Sequence, residues 1–131
     1  MDKPRKINTG ACELHFMENS IVHAHFDAGR VVNVPDVEAM FSTMHDRCNG
    51  DKNLFVVTVA EGTTLSNEAR AVVSSSEASQ YIVADAIVVR DFQHQLSANA
   101  FIRHNKPARP VDTFETMEDA LAWLETHRHR L

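Results

Sequence analysis

Residues 12–26 have the sequence CELHFMENSIVHAHF, in which apolar and polar side chains alternate on both sides of a short polar loop. If residues 18–20 form the loop, Met17 lies opposite Ile21, and the alternation predicts an antiparallel hairpin with one apolar and one polar face. A shift of one residue would mix the two faces, so the pattern also predicts the register. The expected pairs are Phe16 with Val22, Leu14 with Ala24 and Cys12 with Phe26 on the apolar face, and His15 with His23 and Glu13 with His25 on the polar face.

An amphipathic helix is predicted to follow the hairpin. Pro35 suits the first turn of a helix, because its missing N–H would have no partner there. Apolar residues then recur at helical spacing, which predicts a helix over residues 35–49 with one buried face. Between the hairpin and this helix, Val31 and Val32 are expected to extend the sheet. The buried stripe of the helix consists of Val37, Met40, Phe41, Met44 and Cys48.

The second half of the chain alternates between strand and helix patterns. Apolar runs at residues 54–59 and 84–89 predict buried strands, and residues 111–114 predict a short strand near an edge. Ser66, Asp91 and Thr116 each precede a helical pattern as an N-cap residue would. The resulting order, β-β-α-β-α-β-α-β-α, predicts an α/β fold with a mixed, mostly parallel sheet that starts from the antiparallel hairpin.

The length, composition and net charge limit the classes of protein to which the chain can belong. The 131 residues, 44% of them hydrophobic, suffice for one core, and we expect a single domain over residues 11–131 after a flexible N-terminal segment, residues 1–10. The net charge of −5 argues against a nucleic-acid partner. No apolar run reaches the roughly 20 residues of a membrane span, and the charged start lacks the apolar core of a signal peptide. Cys12 and Cys48 lack CxxC spacing and are expected to be reduced, which indicates the cytoplasm.

Several segments of the second half resemble a known fold family. They are SNEAR at 66–70, ADAIVV at 84–89, NKP at 105–107, Pro110, Phe114 and ALAWL at 120–124. With these segments in this element order, the chain resembles the STAS/SEC14-like (SpoIIAA-like) small bacterial domains, over essentially its whole length. The members that it resembles form a stand-alone family of uncharacterised function, so the resemblance implies the fold more than an activity.

The resemblance also implies functions. Better-understood STAS domains act as anti-sigma-factor antagonists, switched by phosphorylation of a Ser or Thr in an Asp-Ser-Ser-Gly tetrad where the third strand meets its helix. Residues 62–67 lack that tetrad, and only Ser66 lies at a comparable helix start. The resemblance therefore implies a non-enzymatic regulatory or protein-interaction module with an unidentified protein partner. Its SEC14 side implies, as an alternative, a binder of a small apolar or lipid-like ligand.

The loop at residues 61–66 is the expected partner-binding surface. It follows the carboxyl end of a buried strand and leads into a helix N-terminus, where binding residues gather in open α/β sheets. Ser66 can be an N-cap or a phosphosite, and a plain connector is the alternative for the whole loop. The candidate residues are Glu61, Gly62, Thr63, Thr64 and Ser66.

The polar face of the hairpin is a second candidate. Glu13, His15, His23 and His25 converge there, and imidazole and carboxylate groups are zinc ligands. A metal protein or enzyme that uses this face is one alternative, and a partner or homodimer surface is the other.

A basic cluster after the third helix is the last candidate. Arg103, His104, Lys106 and Arg109 could hold a phosphate or an acidic partner, or they are cations at a helix C-terminus. The sequence contains no nucleophile elbow, P-loop or dinucleotide-binding motif, so we expect no catalytic residue, no resident metal and no cofactor.

Overall fold

Strands and helices alternate along the chain in the order that the sequence predicts. The computed structural model describes residues 4–27 and 29–131. The strands in these ranges are β1 (Lys6–Asn8), β2 (Cys12–Phe16), β3 (Ile21–Phe26), β4 (Val31–Val32), β5 (Asn53–Val59), β6 (Thr64–Leu65), β7 (Ile82–Val88) and β8 (Val111–Phe114). The helices are α1 (Val34–Arg47), α2 (Asn67–Ser74), α3 (Phe92–Asn105) and α4 (Met117–Glu125), with 3₁₀ turns at Ala78–Gln80 and Arg128–Arg130.

The hairpin has the predicted register. β2 and β3 are antiparallel, with Leu14 opposite Ala24 and His15 opposite His23. Asn19 and Ser20 form the turn with φ angles of 64° and 62°, the left-handed conformation that a tight hairpin turn requires. The prediction from side-chain alternation is therefore confirmed.

The N-terminal segment is a strand where the sequence suggested flexible chain. Lys6–Asn8 pairs antiparallel with β2, and Ile7, opposite Leu14, packs against the core. The backbone N–H of Phe16 also donates to the carbonyl of Arg5 at 2.7 Å. Treating residues 1–10 as flexible is thus wrong for 6–8, because backbone pairing to the edge of β2 and one apolar side chain suffice for a short strand. Residues 1–3 lie outside the described residues.

The main sheet is covered by helices on both faces. Its order is β1-β2-β3-β5-β7-β8, and the pairs from β3 to β8 are parallel. One face, which includes Leu14, Val22 and Phe55, packs against α1 and α2. The opposite face, which includes Leu54 and Ala84, packs against α4. β5 and β7 carry mostly apolar side chains on both faces for this reason.

A second, smaller sheet ties two loops together. Val31–Val32 does not extend the main sheet, as the sequence suggested, but pairs parallel with Thr64–Leu65. Two residues are too few for their pattern to show which sheet they join. Their partner strand is equally short and lies far along the chain, so it gave no clearer signal.

Three of the helix N-caps are those that the sequence predicts, whereas α1 has Asn33 as its N-cap, which was not predicted. The Ser66 hydroxyl accepts a hydrogen bond from the Ala69 N–H at 3.1 Å, Asp91 Oδ1 accepts from the His94 N–H at 2.8 Å, and the Thr116 hydroxyl accepts from the Asp119 N–H at 3.1 Å. Val37, Met40, Phe41 and Met44 of α1 are buried, and Cys48 is half-buried. Among the residues described, none of the helices has the length and apolar character to cross a membrane.

Met44 tests the packing of α1 against the sheet. Its side chain is 1% exposed, so Met44→Ala should lower the free energy of unfolding by about 2–5 kcal/mol through lost contacts and a cavity. Ser42→Ala, on the exposed side of the same helix, should change it by less than about 0.5 kcal/mol. Denaturant titration of both variants measures the difference, and similar values for the two would contradict this packing.

Candidate functional site

A cavity of about 300 Å³ lies between one face of the sheet and the three helices α1, α2 and α3. Such a volume is at the lower end of the range for ligand cavities, about 300–1,000 Å³. Most of its wall is apolar, because it is formed by the inward-facing side chains of β3, β5, β7 and the helices. Its apolar residues include Phe26, Met40, Phe55, Val57, Ile87 and Phe101.

The mouth of the cavity lies at the carboxyl ends of β5 and β7. The exposed residues Gly62 and Thr64, in the loop after β5, form one side of the mouth. Arg90, Gln93 and Ser97, at the start of α3, form the other side and are also exposed. Because parallel strands all end at this edge, the loops and helix starts that follow them meet around one opening.

A buried ion pair lines the inner wall. Arg109 Nε donates to Asp85 Oδ1 at 2.7 Å, and its Nη2 donates to Asp85 Oδ2 at 2.9 Å. The same guanidinium donates to the carbonyl of Val73 at 2.7 Å and to the Ser79 hydroxyl at 3.4 Å. Burial raises the pKa of the Asp85 carboxyl, and Arg109 opposes that shift.

Arg109 therefore does not belong to the exposed basic cluster in which the sequence placed it. Its side chain is buried, whereas Arg103, His104 and Lys106 are exposed at the end of α3. Spacing along the chain could not separate Arg109 from them, because the Asp85 that binds it lies on another strand.

The loop at residues 61–66 is more ordered than its composition suggests. Thr63 is 6% exposed, and its hydroxyl donates to the carbonyl of Asp27, so this side chain is not presented to a partner. Glu61, Gly62 and Thr64 are exposed, as expected, and Ser66 is half-buried at its N-cap position. Gly62 has φ of +84°, which favours glycine, and it lies close to Gly29.

The histidines of the hairpin lie on the sheet face that also carries α4. His23 Nε2 and His25 Nδ1 each hydrogen-bond the Thr58 hydroxyl at 2.7 Å. Burial, followed by the charges of His25 and His15, lowers the pKa of His23. In the part of the chain that the structure describes, no group of three or more His, Cys, Asp or Glu residues is placed to hold a metal ion.

A larger depression, of about 480 Å³, lies between α1 and the turn Ala78–Gln80. Its lining is more polar and includes Glu38, His45, Glu77 and Tyr81. We take the smaller cavity as the functional site, because an apolar wall with few polar groups is typical of ligand sites.

Three charged residues of this site were not predicted from the sequence. A sequence signal for Asp85 exists, because it is the one charged residue in the apolar run ADAIVV. A carboxylate in a strand predicted to be buried needs a partner that is buried with it. Arg70 and Arg90, which also line the cavity, gave no signal, because arginines on a helix and before a helix are ordinary surface residues.

Comparison with known proteins places the chain among uncharacterised domains. The profile of a family described as "Domain of unknown function (DUF7793)" matches residues 15–128. No curated protein matches the chain. A crystal structure from Shewanella loihica PV-4, of an uncharacterised DUF3478-family protein with a SpoIIAA-like fold, matches with a TM-score of 0.62 at 16% identity, covering 95% of this chain and 98% of that one. At this identity the likeness shows the fold alone, and the predicted SpoIIAA-like fold is confirmed.

The buried ion pair can be tested by removing one partner or both. Arg109→Met should lower the free energy of unfolding by about 3–5 kcal/mol, because it leaves the Asp85 carboxylate buried and unpaired. The double variant Asp85→Leu/Arg109→Met should recover most of that loss, apart from the contribution of the bond to the Val73 carbonyl. Arg128→Met, which breaks a solvent-accessible pair with Glu125 and one hydrogen bond to the Asn19 carbonyl, is the control and should cost no more than about 1 kcal/mol in the same denaturant titrations. A double variant as unstable as Arg109→Met would contradict this account.

Proposed function

The chain belongs to the family of domains of unknown function DUF7793, and because that family name assigns no activity, we propose from the geometry that it is a non-enzymatic, STAS-like binding module for a small apolar ligand. The cavity between the sheet and helices α1 to α3 is its site. Of the two functions that the resemblance implied, the cavity favours the ligand binder over a module that binds protein alone.

The observation that carries this proposal is an apolar cavity that opens to solvent. Its inner wall includes the buried Met40 and Phe55, while Gly62 and Ser97 at its mouth are exposed. Apolar side chains that border unfilled space lack dispersion contacts on that side. An apolar ligand supplies these contacts, and its own apolar surface is removed from water when it binds. The free energy gained in this way favours occupancy by a molecule of matching shape.

The chemistry of the site supports binding rather than catalysis. The two titratable groups in the lining that could act as bases are engaged in structural hydrogen bonds: Asp85 accepts two from Arg109, and His94 Nδ1 accepts one from the backbone N–H of Arg90 at 3.1 Å. Outside the cavity, burial raises the pKa of the Cys12 thiol to about 11, so this thiol stays protonated at neutral pH. Cys12 and Cys48 are both free, which supports a cytoplasmic location as part of the proposal.

A second candidate function is association with a protein at the exposed face of α3. Phe92 is 76% exposed and Leu96 is 52% exposed, and both lie one turn apart on α3. Large apolar side chains exposed side by side favour a protein contact. A partner bound there would contact Phe92 and Leu96 directly. If that partner is a second copy, sedimentation velocity should show a dimer that Phe92→Ser dissociates, and a monomer at all concentrations would exclude self-association.

Closing the mouth tests the ligand-binding function. Ser97→Trp places a large ring at the exposed edge of the cavity without entering the core, so it should block ligand entry while leaving the melting temperature nearly unchanged. Calorimetric titration with decanoate and with decanol should show binding to the wild type and a loss of at least roughly tenfold in the variant.

The control for this variant is Asn99→Trp, which adds the same ring to an exposed position of α3 outside the cavity lining. It should bind both probes as the wild type does. Failure of the wild type to bind either probe, or equal binding by the two variants, would refute the cavity as the site.

A further inference from the structure

The cavity is positively charged in a protein that is acidic as a whole. The chain carries a net charge of −5. Yet the charged side chains among the described residues that line the cavity are Arg70, Arg90, Arg109 and Asp85. Since Asp85 and Arg109 neutralise each other, the guanidinium groups of Arg70 and Arg90 remain as the net charge of the lining.

Both of these guanidinium groups keep unused hydrogen-bond donors. Arg70 Nη1 donates to Asn67 Oδ1 at 3.2 Å, and Arg90 Nη1 lies 3.4 Å from Asp91 Oδ2. A guanidinium has five N–H donors, so these contacts leave most of them for a ligand. Arg109, by contrast, is held by three partners and cannot turn toward one.

The positions of Arg70 and Arg90 suit the head of a ligand rather than its body. Arg70 lies in α2 and Arg90 just before α3, the two elements that start at the open edge of the sheet. The apolar residues Phe55 and Met40 lie buried at the inner wall. A molecule that satisfies both regions has an apolar body and an anionic end.

We propose that the ligand is an anionic amphiphile, whose apolar chain fills the cavity and whose carboxylate or phosphate head is bound by Arg70 and Arg90. The inference rests on the proposed function, because it names the ligand class of the same site. Arginine binds both kinds of head group through paired N–H donors, so the two share one recognition chemistry. Asp91 forms one ion pair with Arg90, at 3.4 Å through Nη1, which leaves the other donors of Arg90 open, and Asp27 and Glu61 do not line the cavity.

The test compares three probes that have the same chain and different heads. Decanoate, decyl phosphate and decanol are titrated calorimetrically into the wild type and into Arg70→Gln/Arg90→Gln. One or both anions should bind the wild type more tightly than decanol does. The double variant should weaken that anion binding by roughly tenfold to a hundredfold and leave decanol binding unchanged.

Two controls keep the result interpretable. Arg5→Gln removes a positive charge from an exposed position outside the cavity lining and should leave all affinities as in the wild type. Arg90→Gln alone, at an exposed position, gives the same comparison if the double variant does not fold.

The outcomes separate the two proposals. The proposal of an anionic head group would be overturned if decanol bound as tightly as the anions, or if the arginine variants did not change anion binding. The apolar cavity would remain the site, and the aliphatic parts of the two arginine side chains would then only cover its apolar wall. If Ser97→Trp does not weaken the binding of any of the three probes, the proposed function itself fails.

Discussion

The carboxylate of Asp85 lies on a central strand among the apolar side chains of the cavity wall, where an unpaired charge would cost several kcal/mol. Arg109 neutralises it, and the same guanidinium bonds the Val73 carbonyl at the end of α2 and the Ser79 hydroxyl in the following turn. One arginine thus joins β7, α2 and the segment between α3 and β8. The position of the cavity depends on this pair, because the elements that it joins form the walls.

The pair also explains how a polar group can line an apolar cavity without becoming reactive. Both carboxylate oxygens of Asp85 accept a charged hydrogen bond, and within the described residues no buried side-chain nitrogen or oxygen is left without a partner. The inner wall is electrically balanced, so the uncompensated charge of the lining lies with Arg70 and Arg90. This separation between a neutral, apolar interior and a cationic mouth is the property from which the ligand class follows.

Much of the fold could be predicted from the sequence, because its patterns are local. Side-chain alternation determined the register of Cys12–Phe16 against Ile21–Phe26, and helical spacing identified the buried face of α1. The features that could not be predicted depend on contacts distant in sequence. Val31–Val32 pairs with Thr64–Leu65, and the buried Thr63 donates its hydroxyl to the Asp27 carbonyl. Arg109 is separate from the exposed basic residues because it is paired with Asp85. The sequence placed the candidate loop at the carboxyl edge of the sheet, but the cavity beside it is formed by side chains from three strands of the main sheet and three helices, which no single segment encodes.

The residues that respond to a ligand distinguish the cavity from the histidine face of the sheet. In a titration of isotope-labelled protein with decanoate, followed by amide NMR spectra, binding in the cavity should shift the signals of Gly62, Ser97 and Phe101, which line the cavity, and leave those of His23, His25 and Thr58 on the opposite face nearly unchanged. Shifts concentrated at the histidine face, with the cavity residues unchanged, would contradict it.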